Sequence, residues 1–262
     1  MDILQKIVQH KIKEIALRKK LVSISKLEES ILFNTPKYSL TEAILNTKKS
    51  GIIAEFKRKS PSKPNINLFA DPKEITTGYI ASKVAALSIL TDNHFFGGSL
   101  DDLSIARKNN QCPILRKDFI VDEYQIVEAK SYGADAILLI AEILNKEQVT
   151  RFSKLAQSIG LEVLMEIHSN KELHKITDSV NLLGINNRNL KTFEVSIQNS
   201  LDIVKEVKSD ITLVSESGIT SIDNILKLKK VGFKGFLIGE AFMKHKNPVT
   251  QCELLSNQIL NN

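Results

Sequence analysis

The chain has 262 residues, of which 42% are hydrophobic and 25% are charged, so it is long and apolar enough to bury a sizeable core. Its net charge of +6 permits contact with nucleic acid or anionic membranes, but the lysines are interleaved with acidic residues throughout, which predicts a solvated basic surface. Two cysteines exclude a disulfide framework and the longest apolar run, 136–141, is far too short to span a membrane, so we expect a cytoplasmic protein.

The first predicted element is an amphipathic helix that precedes the first strand. The apolar residues at helical spacing are Ile3, Leu4, Ile7, Val8, Ile12 and Ile15. We expect residues 1–45 to form an N-terminal helical extension that plugs or flanks the body of one domain spanning 1–262. A helix that lies on a membrane surface is the alternative.

Short apolar runs rich in β-branched residues follow, each typical of a buried strand in a parallel sheet. Helix signals lie between them, such as Asp71-Pro72 and Asn247-Pro248, where an N-cap precedes proline. The runs are Ile52–Ala54, Ala86–Leu90, Pro113–Leu115, Ala136–Ile140, Val163–Ile167, Leu182–Ile185, Ile211–Val214 and Phe236–Ile238.

Eight strand–helix units in a row predict an α/β fold, namely a closed (β/α)8 barrel of the TIM type. The competing architecture is an open, doubly wound sheet. Its dinucleotide-binding form carries a G-x-G-x-x-G motif after the first strand. Here Lys57–Pro61 follow the first strand without a glycine, which favours the barrel.

Charged and amide side chains stand at the ends of five predicted strands, where a barrel of this kind has its active site. A single buried charge could serve a structural ion pair, but a set that converges on one mouth indicates acid–base chemistry. A lysine beside other cations would have a lowered pKa and release a proton near neutral pH. The candidates are Glu55, Lys57, Lys117, Glu166, Asn186, Arg188, Glu216 and Ser217, with Arg116 and Asp118 beside Lys117.

Glycines follow the last two strands, at Gly218 and Gly239, in the loops where such barrels bind phosphate through backbone N–H groups. Ser60 could add a hydroxyl from the loop after the first strand. That loop, 58–70, is long and contains two prolines, which is typical of a lid.

Six motifs, in the expected order, resemble those of the indole-3-glycerol phosphate synthase family. They are Ile53–Ser62, Leu90–Asp92 with Phe96–Leu100, Pro113–Ile120, Gly184–Leu190, Val214–Ile219 and Leu237–Glu240. The resemblance implies a lyase of tryptophan biosynthesis, without cofactor or metal, that acts on 1-(2-carboxyphenylamino)-1-deoxyribulose 5-phosphate with loss of carbon dioxide and water. It also implies a phosphorylated small molecule as partner, not nucleic acid or membrane. We expect a monomer.

The resemblance assigns roles residue by residue. Lys117 matches the general acid that protonates the ketone oxygen, and Glu166 matches the general base of the dehydration. Lys57 matches the lysine that pairs with the anthranilate carboxylate, and proton donation stays open between it and Lys117. Glu55, Asn186 and Glu216 match groups that hold the lysines and substrate hydroxyls. Ser60, Arg188, Ser217, Gly218, Gly239 and Glu240 match the phosphate site, and Phe96 and Phe119 match the walls of the aromatic pocket.

Two positions depart from the family pattern. Pro64 replaces a glycine, which predicts a stiffer lid. Glu240 stands where several members have serine, so we expect only its backbone N–H to meet phosphate. His168, after the fifth strand, is expected on the rim of the site and outside the catalytic set.

Two alternative functions come from different classes. Phosphoribosylanthranilate isomerase, a related barrel enzyme, places a cysteine at the end of strand 1, where this chain has Glu55. A nucleic-acid-binding barrel is suggested by the isoelectric point of about 9.1. It predicts binding to any polyanion that weakens steeply with salt.

Overall fold

A computed structural model describes residues 2–189 and 192–262 of the chain. Met1, in the N-terminal extension, and Leu190, at the end of the sixth-strand motif, lie outside the described residues. In the described part, eight parallel strands pair in chain order and the last pairs with the first, which closes a barrel. The strands are β1 (Ile52–Phe56), β2 (Ala86–Leu90), β3 (Ile114–Lys117), β4 (Ala136–Ile140), β5 (Glu162–Ile167), β6 (Leu182–Asn186), β7 (Thr212–Glu216) and β8 (Gly235–Ile238).

The predicted (β/α)8 barrel is confirmed, and the open sheet is wrong. The strand bounds differ from the apolar runs by at most two residues, and β2 and β4 match them. β1 continues past Ala54 through Glu55 and Phe56, and β3 continues to Lys117. The added residues of β1 and β3 include Glu55 and Lys117, which carry polar side chains at the barrel mouth.

Helices connect the strands and begin at polar caps. Asp71 and Asn247 cap α4 and α12 and are followed by proline, as the sequence predicts. The helices are α1 (Ile3–Leu21), α2 (Ile24–Glu28), α3 (Leu40–Leu45), α4 (Pro72–Ala81), α5 (Asn93–Phe96), α6 (Leu100–Asn109), α7 (Glu123–Ser131), α8 (Lys146–Ser158), α9 (Gln198–Ile203), α10 (Ile222–Lys230), α11 (Glu240–Met243) and α12 (Pro248–Leu260), with 3₁₀ segments at Asn170–Lys175 and Val204–Glu206.

The apolar core has two layers, one inside the barrel and one between the strands and the helices. Because side chains alternate across a strand, Ile53 faces the interior while Ile52 and Phe56 pack under the helices. Helix α3 contributes Leu40 and Ile44 to the interior layer. The outward position of Phe56 leaves the residues on either side of it free to face the barrel mouth.

Helix α1 flanks the barrel, because its Ile15 packs with Tyr124 of α7 on the outside. The predicted apolar face is partly wrong, since Ile12 is 54% exposed. The buried residues of α1 are Leu4, Ile7, Lys11 and Ile15. A lysine therefore occupies the position on the buried face where the pattern predicts an apolar side chain. Within the described ranges, no helix is long and apolar enough to cross a bilayer.

Candidate active site

The ends of β3, β5 and β7 bring one lysine and two glutamates together in the barrel mouth. Lys117 Nζ donates to Glu166 Oε2 at 2.6 Å and to Glu216 Oε2 at 2.7 Å. Asn186, at the end of β6, donates from Nδ2 to Glu166 Oε1 at 3.0 Å. Both carboxylates are buried, at 3% and 1% exposure, so the ammonium is what allows them to lie so close together. A proton donor and two acceptors are thus within hydrogen-bond distance of one another.

The charges of Lys117, Glu166 and Glu216 shift one another's pKa values. Burial alone would lower the pKa of Lys117, but Glu166 and Glu216 outweigh it and hold the pKa above its ordinary value. The expected lowering of a lysine pKa is therefore wrong here, because the neighbours of Lys117 are carboxylates and not cations. Burial opposes ionisation of Glu166, yet Lys117 holds the pKa of Glu166 well below its ordinary value. Burial, opposed by Lys117 and reinforced by Glu166, raises the pKa of Glu216 to about 8.

A second ion pair lies at the end of β1. Lys57 Nζ is 2.7 Å from Glu55 Oε1, and Ser88 on β2 donates to Glu55 Oε2 at 3.5 Å. Gly239 packs against the same carboxylate, since a Cβ there would lie 2.5 Å from Glu55 Oε1. Gly239 therefore gives Glu55 the room to hold Lys57 at the mouth.

Gly184 has the same effect on Glu216 and is a site residue that the sequence reasoning missed. A Cβ at Gly184 on β6 would lie 2.2 Å from Glu216 Oε1. The available signal was an isolated glycine inside a strand, which often marks a close approach. Glu216 can reach Lys117 because β6 carries no side chain at this position.

A cavity of about 150 Å³ lies over both ion pairs. Phe96 and Phe119 form part of its apolar wall, with ring centroids 5.8 Å apart. The predicted residues that line it are Glu55, Lys57, Ser60, Phe96, Lys117, Asp118, Phe119, Glu166, Asn186, Arg188, Glu216, Ser217 and Glu240. Gly218 and Gly239 are not among its lining residues, although their neighbours Ser217 and Glu240 are. Leu4 and Ile7 of α1 also line the cavity, which the sequence did not indicate.

Ser217, Gly218 and Glu240 lie on the side of the mouth where phosphate is expected. Ser217 and Gly218 have φ of +65° and +71°, so consecutive left-handed residues turn the chain sharply after β7. The carboxylate of Glu240 was expected to take no part, but it lies 2.5 Å from Lys63 Nζ and 3.6 Å from Arg188 Nη2. The phosphate side thus carries an anion of its own.

Behind β3 a second charge cluster faces the helices. Arg116 is fully buried, and its Nη2 lies 3.0 Å from Asp118 and 2.8 Å from Glu128. Lys11 of α1, also fully buried, lies 2.9 Å from Asp92 and 3.1 Å from Asp118. Neither cation lines the cavity. Lys11 was missed because a lysine among apolar residues of a helix is usually exposed.

The sequence predicts His168 on the rim of the site. In the structure its side chain lies directly behind Glu166. Its Nε2 is 3.2 Å from Glu166 Oε1, and its Nδ1 is 3.7 Å from Glu142 Oε2. Burial favours the neutral ring, but these carboxylates outweigh it and raise the pKa of His168. His168 therefore bears on the charge of Glu166 without lining the cavity.

One group of side chains has the spacing of a metal site among the described residues. Glu142, His168 and Glu172 each place a ligand atom within 4.8 Å of the others. Glu172 already accepts hydrogen bonds from the backbone N–H groups of His168 and Ser169, at 2.7 and 3.0 Å. These contacts account for the position of Glu172 as a cap of the 3₁₀ segment.

Comparison with known sequences gives one consistent result. The family model described as indole-3-glycerol phosphate synthase matches residues 4–255. A protein of that name from Bacteroides thetaiotaomicron is 48% identical over 247 residues, which cover 94% of this chain and 95% of the relative. One from Delftia acidovorans is 40% identical over 256 residues and covers 94% and 96%.

Comparison with solved structures supports the fold alone, because the identities are low. Thiamine phosphate pyrophosphorylase from Pyrococcus furiosus aligns with a TM-score of 0.61 at 16% identity, over 82% of this chain and 97% of the other. Tryptophan synthase subunit alpha from Legionella pneumophila aligns with a TM-score of 0.60 at 14% identity, over 85% and 95%.

Proposed function

The chain belongs to the indole-3-glycerol phosphate synthase family, and on this premise we propose how its barrel mouth performs the family's reaction. The enzyme is a carboxy-lyase of tryptophan biosynthesis that closes the indole ring of 1-(2-carboxyphenylamino)-1-deoxyribulose 5-phosphate, with loss of carbon dioxide and water. The observation that carries the proposal is the position of Lys117 between Glu166 and Glu216, within hydrogen-bond distance of both.

Lys117 is the general acid of ring closure. The ketone oxygen gains negative charge as the new carbon–carbon bond forms, and a proton delivered at that moment removes the charge. Glu166, together with Glu216, holds the pKa of Lys117 above its ordinary value, so Lys117 carries the proton that it donates. A positioned acid of this kind contributes about 10²–10⁴ in rate.

Lys57 binds the carboxylate of the anthranilate ring, and Glu55 fixes the ammonium from the other side. The pairing directs the ring toward Lys117. When carbon dioxide leaves, its bonding electron pair stays with the ring system, and Lys57 returns to its pair with Glu55.

Glu166 is the general base of the dehydration. It takes the proton from the carbon beside the ring nitrogen, while the hydroxyl formed from the ketone leaves as water with a proton from a lysine, and the new double bond completes the aromatic five-membered ring. Its low pKa keeps it ionised and able to accept. Asn186 and Glu216 orient this step, because the first holds Oε1 of Glu166 and the second holds Lys117.

The remaining candidates hold the ends of the substrate. Ser60, Arg188, Ser217, Gly218 and Gly239 bind the phosphate, with backbone N–H groups after β7 and β8 aimed at the anion. The side chains of Phe96 and Phe119, which lie side by side in the cavity wall, pack on the aromatic ring.

We also propose a single domain that works as a cytoplasmic monomer, without cofactor or metal and without affinity for nucleic acid or membranes. Size-exclusion chromatography with light scattering tests the monomer. A gel-shift series at two salt concentrations tests nucleic-acid binding, and a complex that forms at low salt and dissolves at high salt would contradict this part of the proposal.

The direct test adds the carboxyphenylamino sugar phosphate to the purified enzyme and follows indole fluorescence. We expect turnover that survives dialysis against a chelator. If no indole forms, or if turnover is lost with the chelator and restored by a metal ion, the proposed chemistry is wrong.

A further inference from the structure

Glu240 joins the loop after β1 to the loop after β6 through two cations. Its Oε1 lies 2.5 Å from Nζ of Lys63, in the loop after β1, and its Oε2 lies 3.6 Å from Nη2 of Arg188, after β6. Burial opposes ionisation of Glu240, but its bond to Lys63 outweighs this and lowers its pKa. Each oxygen of one ionised carboxylate thus faces a different cation.

The lid places Lys63 and Ser60 in one tight turn. Ser60 and Lys63 exchange backbone hydrogen bonds of 2.8 and 3.0 Å, and the N–H of Lys63 also lies 3.2 Å from Ser60 Oγ. Lys63 precedes Pro64, which further restricts its backbone. The ion pair with Glu240 therefore holds Ser60, which lines the cavity, in a set position on the phosphate side of the mouth.

We propose that Glu240 is an internal competitor for the phosphate of the substrate, holding Lys63 and Arg188 until phosphate displaces it. The inference rests on the phosphate site of the proposed function and adds a residue that sets its affinity. Two anions cannot share the same cations without like-charge repulsion, so the phosphate must drive the carboxylate away. Phosphate of substrate and product is then held less tightly than the cations alone would hold it, and product leaves sooner.

Glu240→Gln tests the competitor directly. The amide keeps the size of the side chain but removes the charge, so both cations become free for phosphate. We expect the Kd for inorganic phosphate, measured by calorimetry, and the KM for substrate to fall by about three- to tenfold. The effect is this modest because Lys63 is 54% exposed and its ion pair is screened.

Glu194→Gln is the matched control. Glu194 is exposed on the same face of the barrel, and its side chain contacts Thr192. The substitution removes the same charge, and we expect phosphate affinity to stay within about twofold. A general change in the electrostatic potential at the barrel mouth would instead raise phosphate affinity in both variants.

A second substitution tests whether Lys63 accounts for the higher phosphate affinity of Glu240→Gln. In the Glu240→Gln background, Lys63→Gln is expected to return phosphate affinity toward the wild-type value, because Lys63 has become a phosphate ligand. A gain that survives the loss of Lys63 would overturn the shared-cation proposal. Phosphate affinity that is unchanged or weaker in Glu240→Gln would overturn the competitor itself.

Ser60→Ala separates this inference from the proposed function. If the phosphate site is as proposed, this variant binds inorganic phosphate more weakly with either residue at position 240. If Ser60→Ala has no effect in either background, the phosphate site is misplaced. If it weakens binding while Glu240→Gln brings no gain, the site stands and the competitor is wrong.

Discussion

Arg116 and Lys117 are neighbours on β3, yet they belong to charge clusters on opposite sides of the strand. Arg116 faces the helices and is fully buried between Asp118 and Glu128. Lys117 faces the barrel interior and lines the cavity, where it is bound by Glu166 and a second glutamate. Both clusters place a cation among carboxylates, so charge does not distinguish them.

The difference lies in what else the cation can reach. Arg116 also donates from Nε to Thr91 Oγ1 and from Nη1 to the carbonyl of Gln125, at 3.0 and 2.8 Å, and it is 0% exposed. Lys117 is 13% exposed at its side chain, toward the cavity. A cation at a strand end is therefore available for chemistry where a cavity touches it, and it stabilises the fold where protein groups surround it.

The largest effect is expected from Glu166→Gln in the mouth cluster. The amide cannot accept the proton of the dehydration, so kcat should fall by about 10²–10⁴. The free energy of unfolding should change little, because Lys117 keeps its partner Glu216. Indole fluorescence gives kcat and urea denaturation gives the stability. Near-normal kcat would mean that Glu166 is not the base.

Arg116→Met should show the opposite behaviour. It leaves Asp118 and Glu128 as buried charges without this partner, so the free energy of unfolding should fall by about 3–5 kcal/mol. Turnover per folded molecule should stay within about tenfold of wild type. Loss of turnover without loss of stability would remove the distinction between the two clusters.

Acid should weaken the cluster behind β3. Burial opposes ionisation of Asp118, but Lys11 and Arg116 outweigh it and lower its pKa from 3.8 to about 2. A lowered folded-state pKa means that the stabilisation is present above about pH 4 and is lost as the pH falls through about 2. Urea denaturation should show that the free energy of unfolding falls by roughly 2 kcal/mol over this range. Lys11→Met should flatten the dependence, and an unchanged slope would contradict the assignment.

The smallest effect is expected from His168→Gln. Since His168 helps to hold the pKa of Glu166 down, its loss should raise that pKa and move the acid limb of the kcat profile to higher pH. His174→Gln, at an exposed position of the 3₁₀ segment Asn170–Lys175, is the control and should leave the profile unchanged. If His168→Gln leaves the profile unchanged, His168 does not lower the pKa of Glu166 and its role is only structural.

Much of the fold follows from local pattern. The apolar runs fixed the position of each strand, and the order of strand and helix signals was enough to select a closed barrel. The convergence of Glu55, Lys117, Glu166 and Glu216 was also predictable, because the carboxyl ends of parallel strands share one face of the barrel.

The remaining features depend on distances between segments far apart in the chain. The burial of Lys11 depends on its ion pairs with Asp92 and Asp118, and the spacing of apolar residues along α1 does not indicate either partner. The role of Gly184 depends on where Glu216 places its carboxylate. Both follow from side-chain packing that only the folded barrel defines.

Lys117→Ala, examined for binding and turnover together, is the most direct test of the account. Substrate affinity, measured by calorimetry, should stay within a fewfold of wild type, because Lys57 and the phosphate site still hold the ligand. Indole formation in a single turnover should fall by at least about a hundredfold. Bound substrate that still closes its ring at near the normal rate would show that Lys117 is not the acid.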